Sequence, residues 1–193
     1  MLRPSLALEI AAALLAAFLL IPQNTATSAH PQTKTDHIKI STIPARPEDV
    51  STIDGIVKAY YDVISGPAGQ PRQWDRDHTL YIPEIRFVEF SEPKDGKNTA
   101  RSRTHQQFVD KAEAELGNSA FYEHEIHRLI HRFGNAAHVF CTAELTATPG
   151  GPAIGHSIDS LELFWDGQRW WITSVNIWPG DRPGRPLTPE FLP

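Results

Sequence analysis

The sequence predicts an α+β domain in which helices come first and cover one face of an antiparallel meander. Three observations carry that expectation. Apolar residues recur at helical spacing between Ile53 and Leu116. From Phe121 onward, Gly134-Asn135, Gly150-Gly151 and Asp166-Gly167 separate four segments of alternating pattern. Within the last of these, Trp170 stands directly beside Trp171. Successive strand residues point to opposite faces, so this sheet has a use for a large aromatic on each side.

Taken in order, residues 1–29 have the layout of a secretory signal: Arg3, an apolar run from Ile10 to Ile21, a breaker at Pro22, and small residues at Thr27-Ser28-Ala29. The apolar run falls short of the roughly 20 residues a bilayer-spanning helix needs. An exported protein, periplasmic or extracellular, is therefore expected, with no membrane attachment after cleavage. Residues 30–48 are polar, carry three prolines and read as a linker. The domain is expected over 49–193, closed by a Pro-rich tail.

Within the domain, Ser51 and Asp54 precede the apolar set Ile53, Ile56, Val57, Tyr60 and Ile64, a capped amphipathic helix stopped by Gly66-Pro67. A shorter helix is expected from Gln73 to about Leu80, anchored by Trp74. Ile85 to Phe90 alternates as a strand, and Pro93 to Lys97 reads as a turn. Arg103 to Leu116 carries Phe108, Val109, Ala112 and Leu116 at helical spacing, ended by Gly117-Asn118.

The chain has 193 residues, enough to bury a real core, and a formal net charge of -5 with no block of lysine and arginine. Nucleic acid is thereby excluded as a partner, since the attraction to phosphate is missing. The one cysteine, Cys141, allows neither an intrachain disulfide nor a thiolate metal cluster.

Two-residue turns would pair Leu163 with Trp170, Leu161 with Ile172 and Asp159 with Ser174. A looser turn at Gly150-Gly151 is compatible with Cys141 facing Leu161, and a two-residue turn at Gly134-Asn135 would place Arg128 opposite Cys141 and Ile126 opposite Ala143. One face collects Ile126, Ile130, Val139, Cys141, Leu161, Leu163, Trp170 and Ile172, with His124, Arg128, Asp159, Ser174, Asn176 and Trp178 among them. The helices should cover that face. The other carries Phe140, Phe164 and Trp171, a stripe that a second copy of the chain could cover as a homodimer.

At "FGNAAHVF" and "GQRWWITSVNIW", preceded by "IVKAYYDVISGPAGQPRQW", the chain resembles the nuclear transport factor 2-like superfamily in its SnoaL-like bacterial branch. The resemblance runs from Asp49 to about Leu192 and includes the tail "PGRPLTPEFL". It implies an NTF2-like, cystatin-like cone, a strongly bent antiparallel sheet wrapped around a long first helix, with a pocket between them. It does not imply a chemistry, because this fold hosts isomerases, dehydratases, hydrolases and plain binding modules.

Three function classes follow. The first is binding of a small apolar or amphipathic molecule in the concave pocket. The second is cofactor-free general acid/base catalysis, of isomerase or dehydratase type. The third is a homodimeric interaction module. For catalysis, "LYIPEIRFVEF" resembles the strand that carries the proton shuttle in the ketosteroid isomerase branch, which puts Glu89 at its place. Tyr60 or Tyr61 would be the hydrogen-bond donor and Asp159 the second acid. Tyr61, Trp74, His124, Arg128, Ser174, Asn176 and Trp178 are the expected ligand-binding residues. No metal or cofactor is expected: His127, His131 and His138 share a strand face, but ligands so spaced rarely converge on one ion. Cys141, between apolar neighbours, reads as a small buried hydrophobe.

Overall fold

Thr52, with extended backbone, accepts a hydrogen bond from the Gly55 amide at 2.9 Å and starts the long first helix, so the cap lies one residue beyond the expected Ser51. In the computed structural model, which describes residues 37–91, 97–181 and 185–193, this helix α2 (Ile53–Ile64) follows a single turn α1 (Pro47–Val50). The expected signal over 1–29, the first part of the linker and most of the Pro93–Lys97 turn lie outside the described residues. The described residues belong to one compact unit, Asp36–Pro193. Among them, no helix is long and apolar enough to cross a membrane.

Three further helical and strand pieces follow α2. They are α3 (Trp74–His78), β1 (Phe87–Ser91) and β2 (Thr99–Arg103). Alternation could not reveal β2, because "TARSR" is polar and largely exposed and forms a strand only by pairing with β1. Then α4 (His105–Leu116) starts at a capping box in which Thr104 and Gln107 bond each other's backbone amides. The meander is β3 (Tyr122–Phe133), β4 (Ala136–Thr146), β5 (Ala153–Trp165) and β6 (Trp170–Pro179). All six strands form one sheet in the order β2-β1-β6-β5-β4-β3, antiparallel except where β1 runs parallel to β6. The architecture is an α+β cone, with the sheet curled around α2.

The face toward α2 is the core. Ile56, Val57, Phe87, Val139, Cys141, Leu161, Ile172 and Val175 are all fully buried. Each large aliphatic or aromatic side chain of this set stabilises the fold by about 1.5–3 kcal/mol through loss of contact with water. Trp170 is also on this face, 3% exposed, while Trp171 lies on the other, its indole N–H donated to Asp166 and the Arg169 guanidinium 3.6 Å above its ring. The adjacent tryptophans do serve opposite faces.

The registers differ from the expected ones in two ways, with different consequences. The β5–β6 loop spans four residues, Asp166 to Arg169, with Gly167 at φ +102, so Leu163 faces Ile172 rather than Trp170. Likewise Cys141 faces Asp159 rather than Leu161. Shifts of two residues leave every side chain on its face. Bulges do not. An extra residue at Thr173 turns Ser174, Asn176 and Trp178 away from the core and brings Val175 and Ile177 in. Another at Ile126 turns His124 away and brings Glu123 and Glu125 in. The expectation that His124, Ser174, Asn176 and Trp178 share the concave face is thus corrected.

Three surfaces complete the picture. Residues 37 and 38, within the expected linker, are tied to α4: His37 and the Ile38 amide both bond Asp110. The β3–β4 hairpin outruns its helix, since 12 residues extend about 18 Å as α2 but about 40 Å as β3. Ile130, expected under the helices, is therefore 43% exposed, and Phe133 at the tip 92%. The tail folds back over the convex face, where a 3-10 turn (Pro189–Phe191) sets Phe191 against Phe140 and its carbonyl accepts from the Thr142 hydroxyl. Of the three residues expected at a dimer contact, Phe140 is covered by the chain's own tail, Trp171 lies under Arg169, and Phe164 stays 39% exposed.

Candidate active site

α2 runs antiparallel to β3: Arg128 bonds Asp54 at the start of the helix, and the Ser65 hydroxyl and Glu123 backbone bond at its end. The face is closed by carbon at the Ile56 end. Toward the helix C-terminus the strands and α4 diverge and leave a cavity of about 310 Å³. One wall is apolar, from Ile64, Phe108, Leu116, Phe121, Leu145 and Ile177. Buried Tyr60, Asp77, Tyr81, Ser157 and Asp159 also line it, with Glu123 half-buried beside them, and half-buried Glu89, Lys111 and His156 and exposed Glu115 form the rim.

Asp159 is 1% exposed. Its Oδ2 accepts from the Tyr61 hydroxyl at 3.0 Å and contacts Ser157 Oγ at 3.2 Å, while Oδ1 has no hydrogen-bond partner among the described residues. Ser157 Oγ also lies 2.7 Å from Glu123 Oε1. A hydroxyl has one hydrogen, so it cannot donate to two carboxylates at once. Both contacts are favourable only when one carboxyl carries a proton and donates it to the serine oxygen. The electrostatics agree. Burial raises the Glu123 carboxyl from 4.5 to about 7, against the opposing Ser157 bond. Burial, then the neighbouring Glu123 charge, holds Asp159 well above the ordinary carboxylate range.

Two tyrosines complete the polar end. Tyr81 donates to Asp77 at 2.8 Å, and the other oxygen of Asp77 meets His105 Nε2 at 2.6 Å. The Tyr60 hydroxyl, although the residue is only 7% exposed, has no hydrogen bond among the described residues. Burial, then the Asp159 charge, pushes the Tyr60 phenol well up, so it stays protonated and able to donate.

Of the residues chosen from sequence, Tyr60, Glu89 and Asp159 line this one cavity. Glu89 is held by Arg103 at 2.6 Å and Lys111 at 2.9 Å. Burial opposes its ionisation, but those two cations outweigh it and lower its pKa, which suits a rim ion pair and not a proton shuttle. Tyr61 stands behind Asp159 as its donor. Trp178 borders the cavity, but its ring stacks on Phe90 at 4.3 Å and meets Phe140 edge-on, beside a second hollow of about 250 Å³ under the tail.

The remainder are elsewhere. Trp74 is buried with its N–H on Glu113, and Arg128 is held by Glu125 and Asp54. His124 faces Glu144 across the strands, Ser174 faces Glu162, and Asn176 faces Ser160. Sequence reasoning missed Glu123, Ser157, Tyr81, Asp77 and His105. Ser157 could have been found, because it precedes Asp159 by two and so shares its face. Glu123 could not, because the bulge at Ile126 has no signature in "YEHEIHR".

Among the described residues, no three His, Cys, Asp or Glu side chains form a group able to hold a metal ion. His131 and His138 are cross-strand neighbours with ring centroids 6.4 Å apart. Cys141 is fully buried and its thiol is pushed up by that burial, so it stays protonated and unreactive.

No family model matches the chain, and no curated protein matches it. Solved structures do. A protein with a cystatin-like fold from Caulobacter vibrioides is 16% identical, with a TM-score of 0.49 over 69% of this chain and 90% of that one. An NTF2-like protein of unknown function from Shewanella baltica is 11% identical, with a TM-score of 0.44 over 65% of this chain and 86% of that one. A function-unknown protein from Mycobacterium tuberculosis is 15% identical, with a TM-score of 0.49 over 67% and 70%. Several of the solved structures similar to this chain are thus NTF2-like or cystatin-like fold proteins without an assigned function.

Proposed function

We propose that this protein binds a small, largely apolar molecule with one polar end in the cavity between α2, α4 and the sheet. One observation carries the reading: an apolar-walled hollow of about 310 Å³ is also lined by a buried polar atom, Asp159 Oδ1, that lacks a partner among the described residues. Buried polar groups without partners cost about 1–3 kcal/mol each, a penalty that a bound polar group relieves. The size falls at the small end of the range for ligand sites.

Ala112 on α4 lines the same hollow. A thermal-shift screen of small aromatic and alicyclic compounds should therefore give hits with the natural chain that Ala112→Phe abolishes by filling the space. Hits that survive the substitution would place binding elsewhere and end this reading.

A second reading is cofactor-free acid/base catalysis in the same cavity, of isomerase or lyase type. The observation in its favour is Glu123, a cavity-lining carboxyl with a pKa of about 7 and a hydrogen-bonded link through Ser157 to Asp159. In this reading Glu123 carries the proton, and Tyr60 donates to an oxygen on which charge develops. Glu123→Gln would then leave binding of a converted compound intact while lowering turnover by 10²-fold or more, on the order of a lost general acid/base. Unchanged turnover in that variant would remove Glu123 from the chemistry.

A further inference from the structure

The polar residues of the cavity are unbalanced in a way that selects the ligand's chemical class. Asp159 Oδ1 has no partner, Glu123 keeps an oxygen beyond the one bonded to Ser157, and the Tyr81 oxygen has already donated its hydrogen to Asp77. Tyr60 adds one more oxygen, and its hydroxyl carries the one uncommitted O–H of these groups. Acceptors therefore outnumber donors. Facing the two carboxyls are Tyr60 and Tyr61 from α2, Tyr81, Cys141 from β4 and Ser157 from β5, none of them cationic. The basic side chains that do line the cavity are engaged at its rim: Lys111 with Glu89 and Glu115, and His156 with Asp181. Two neighbouring carboxyls in a low-dielectric wall without a cation are a costly arrangement, and a positive charge placed between them offsets that cost most directly.

We propose that the cavity takes a small primary amine, whose ammonium group sits between Glu123 and Asp159 and whose hydrocarbon body lies along Phe108, Phe121 and Ile177. The three N–H donors of an ammonium match Asp159 Oδ1, the second Glu123 oxygen and a phenol oxygen. A carboxylate or phosphate is excluded by the same charges. This inference rests on the cavity being a ligand site. It adds a proton balance: the ammonium replaces the proton that the acid pair holds, so binding releases a proton to solvent.

The test is isothermal titration calorimetry of the whole chain with three compounds of similar shape: 2-phenylethylamine, 2-phenylethanol and 3-phenylpropanoate. The amine should bind, the acid should not, and the amine's affinity should rise about tenfold from pH 6 to pH 8, following the ionised fraction of a group titrating at about 7. The alcohol's affinity should not rise. Glu123→Gln combined with Asp159→Asn should weaken the amine and spare the alcohol; if that variant fails to fold, the pH dependence of the natural chain still decides. An alcohol that binds as well as the amine, or an amine whose affinity stays flat or falls with pH, overturns the amine assignment and leaves the pocket reading standing. Binding by none of the three counts against both.

Discussion

The two ends of the concave face are built from the same four strands and differ in what they bury. At one end Val139, Leu161, Leu163, Trp170 and Ile172 are at most 3% exposed and pack carbon on carbon. At the other, Glu123, Ser157 and Asp159 meet a hollow beneath Tyr60. The first end follows the rule that interiors fill with apolar side chains. The second departs from it at a cost in stability, and groups held at such a cost are where binding or catalysis is concentrated. The contrast separates the residues that hold the fold from those that could act on a ligand.

Substitutions sharpen that comparison most. Leu161→Ala, at the closed end, should lower unfolding free energy by about 3 kcal/mol in a denaturant titration, from lost transfer energy and a new cavity. Asp159→Asn, at the hollow end, should cost little at pH 8 and may be compared directly in the same titration, because it removes an ionisable group that the fold disfavours. A loss at Asp159 as large as that at Leu161 would show the acid to be structural and erase the distinction.

Next in size is a pH effect belonging to the hollow end alone. Glu123 has a folded pKa of about 7, above its ordinary 4.5, so the folded state binds the proton more tightly than the unfolded one. Its contribution is fully present below pH 4.5 and is lost as pH rises toward 7, a loss of about 2–3 kcal/mol. Asp159 acts in the same direction. Glu89, lowered by its cations, acts oppositely and only as pH falls below 4.5. Thermal unfolding from pH 5 to 8 should show a declining midpoint that Glu123→Gln flattens. A midpoint that climbs over that range in the natural chain, and stays climbing in the variant, would contradict the acid pair described above.

The convex face offers a smaller effect. Cutting the chain after Asp181 uncovers Phe140, so sedimentation should show self-association of the shortened chain at concentrations where the intact chain stays monomeric. Equal behaviour of the two would mean that the tail does not guard that face. The smallest effect is expected at the rim, where Glu89→Gln breaks partly solvated ion pairs and should change stability by less than about 1 kcal/mol.

Much of this was legible in the residues themselves. Periodicity marked α2 and α4, glycine turns marked the meander, and the Trp170-Trp171 pair announced a sheet used on both faces. Asp159 was placed correctly because its register against β4 moved by two, from Ala143 to Cys141, an even number that preserves the face. Ser174, Asn176 and His124 were misplaced because Thr173 and Ile126 each add one residue, an odd number that reverses it. Alternation cannot report a bulge, since the inserted residue looks like any other.

The sequence alone determined the order of the two long helices and the four meander strands, the apolar face of the first helix and the α+β layering, because these depend on local periodicity and on turns of a few residues. Tertiary structure alone decided the cavity and its acid pair. Glu123 and Asp159 lie on non-adjacent strands and meet only through the Ser157 hydroxyl, and their raised pKa values come from burial, which no local pattern encodes.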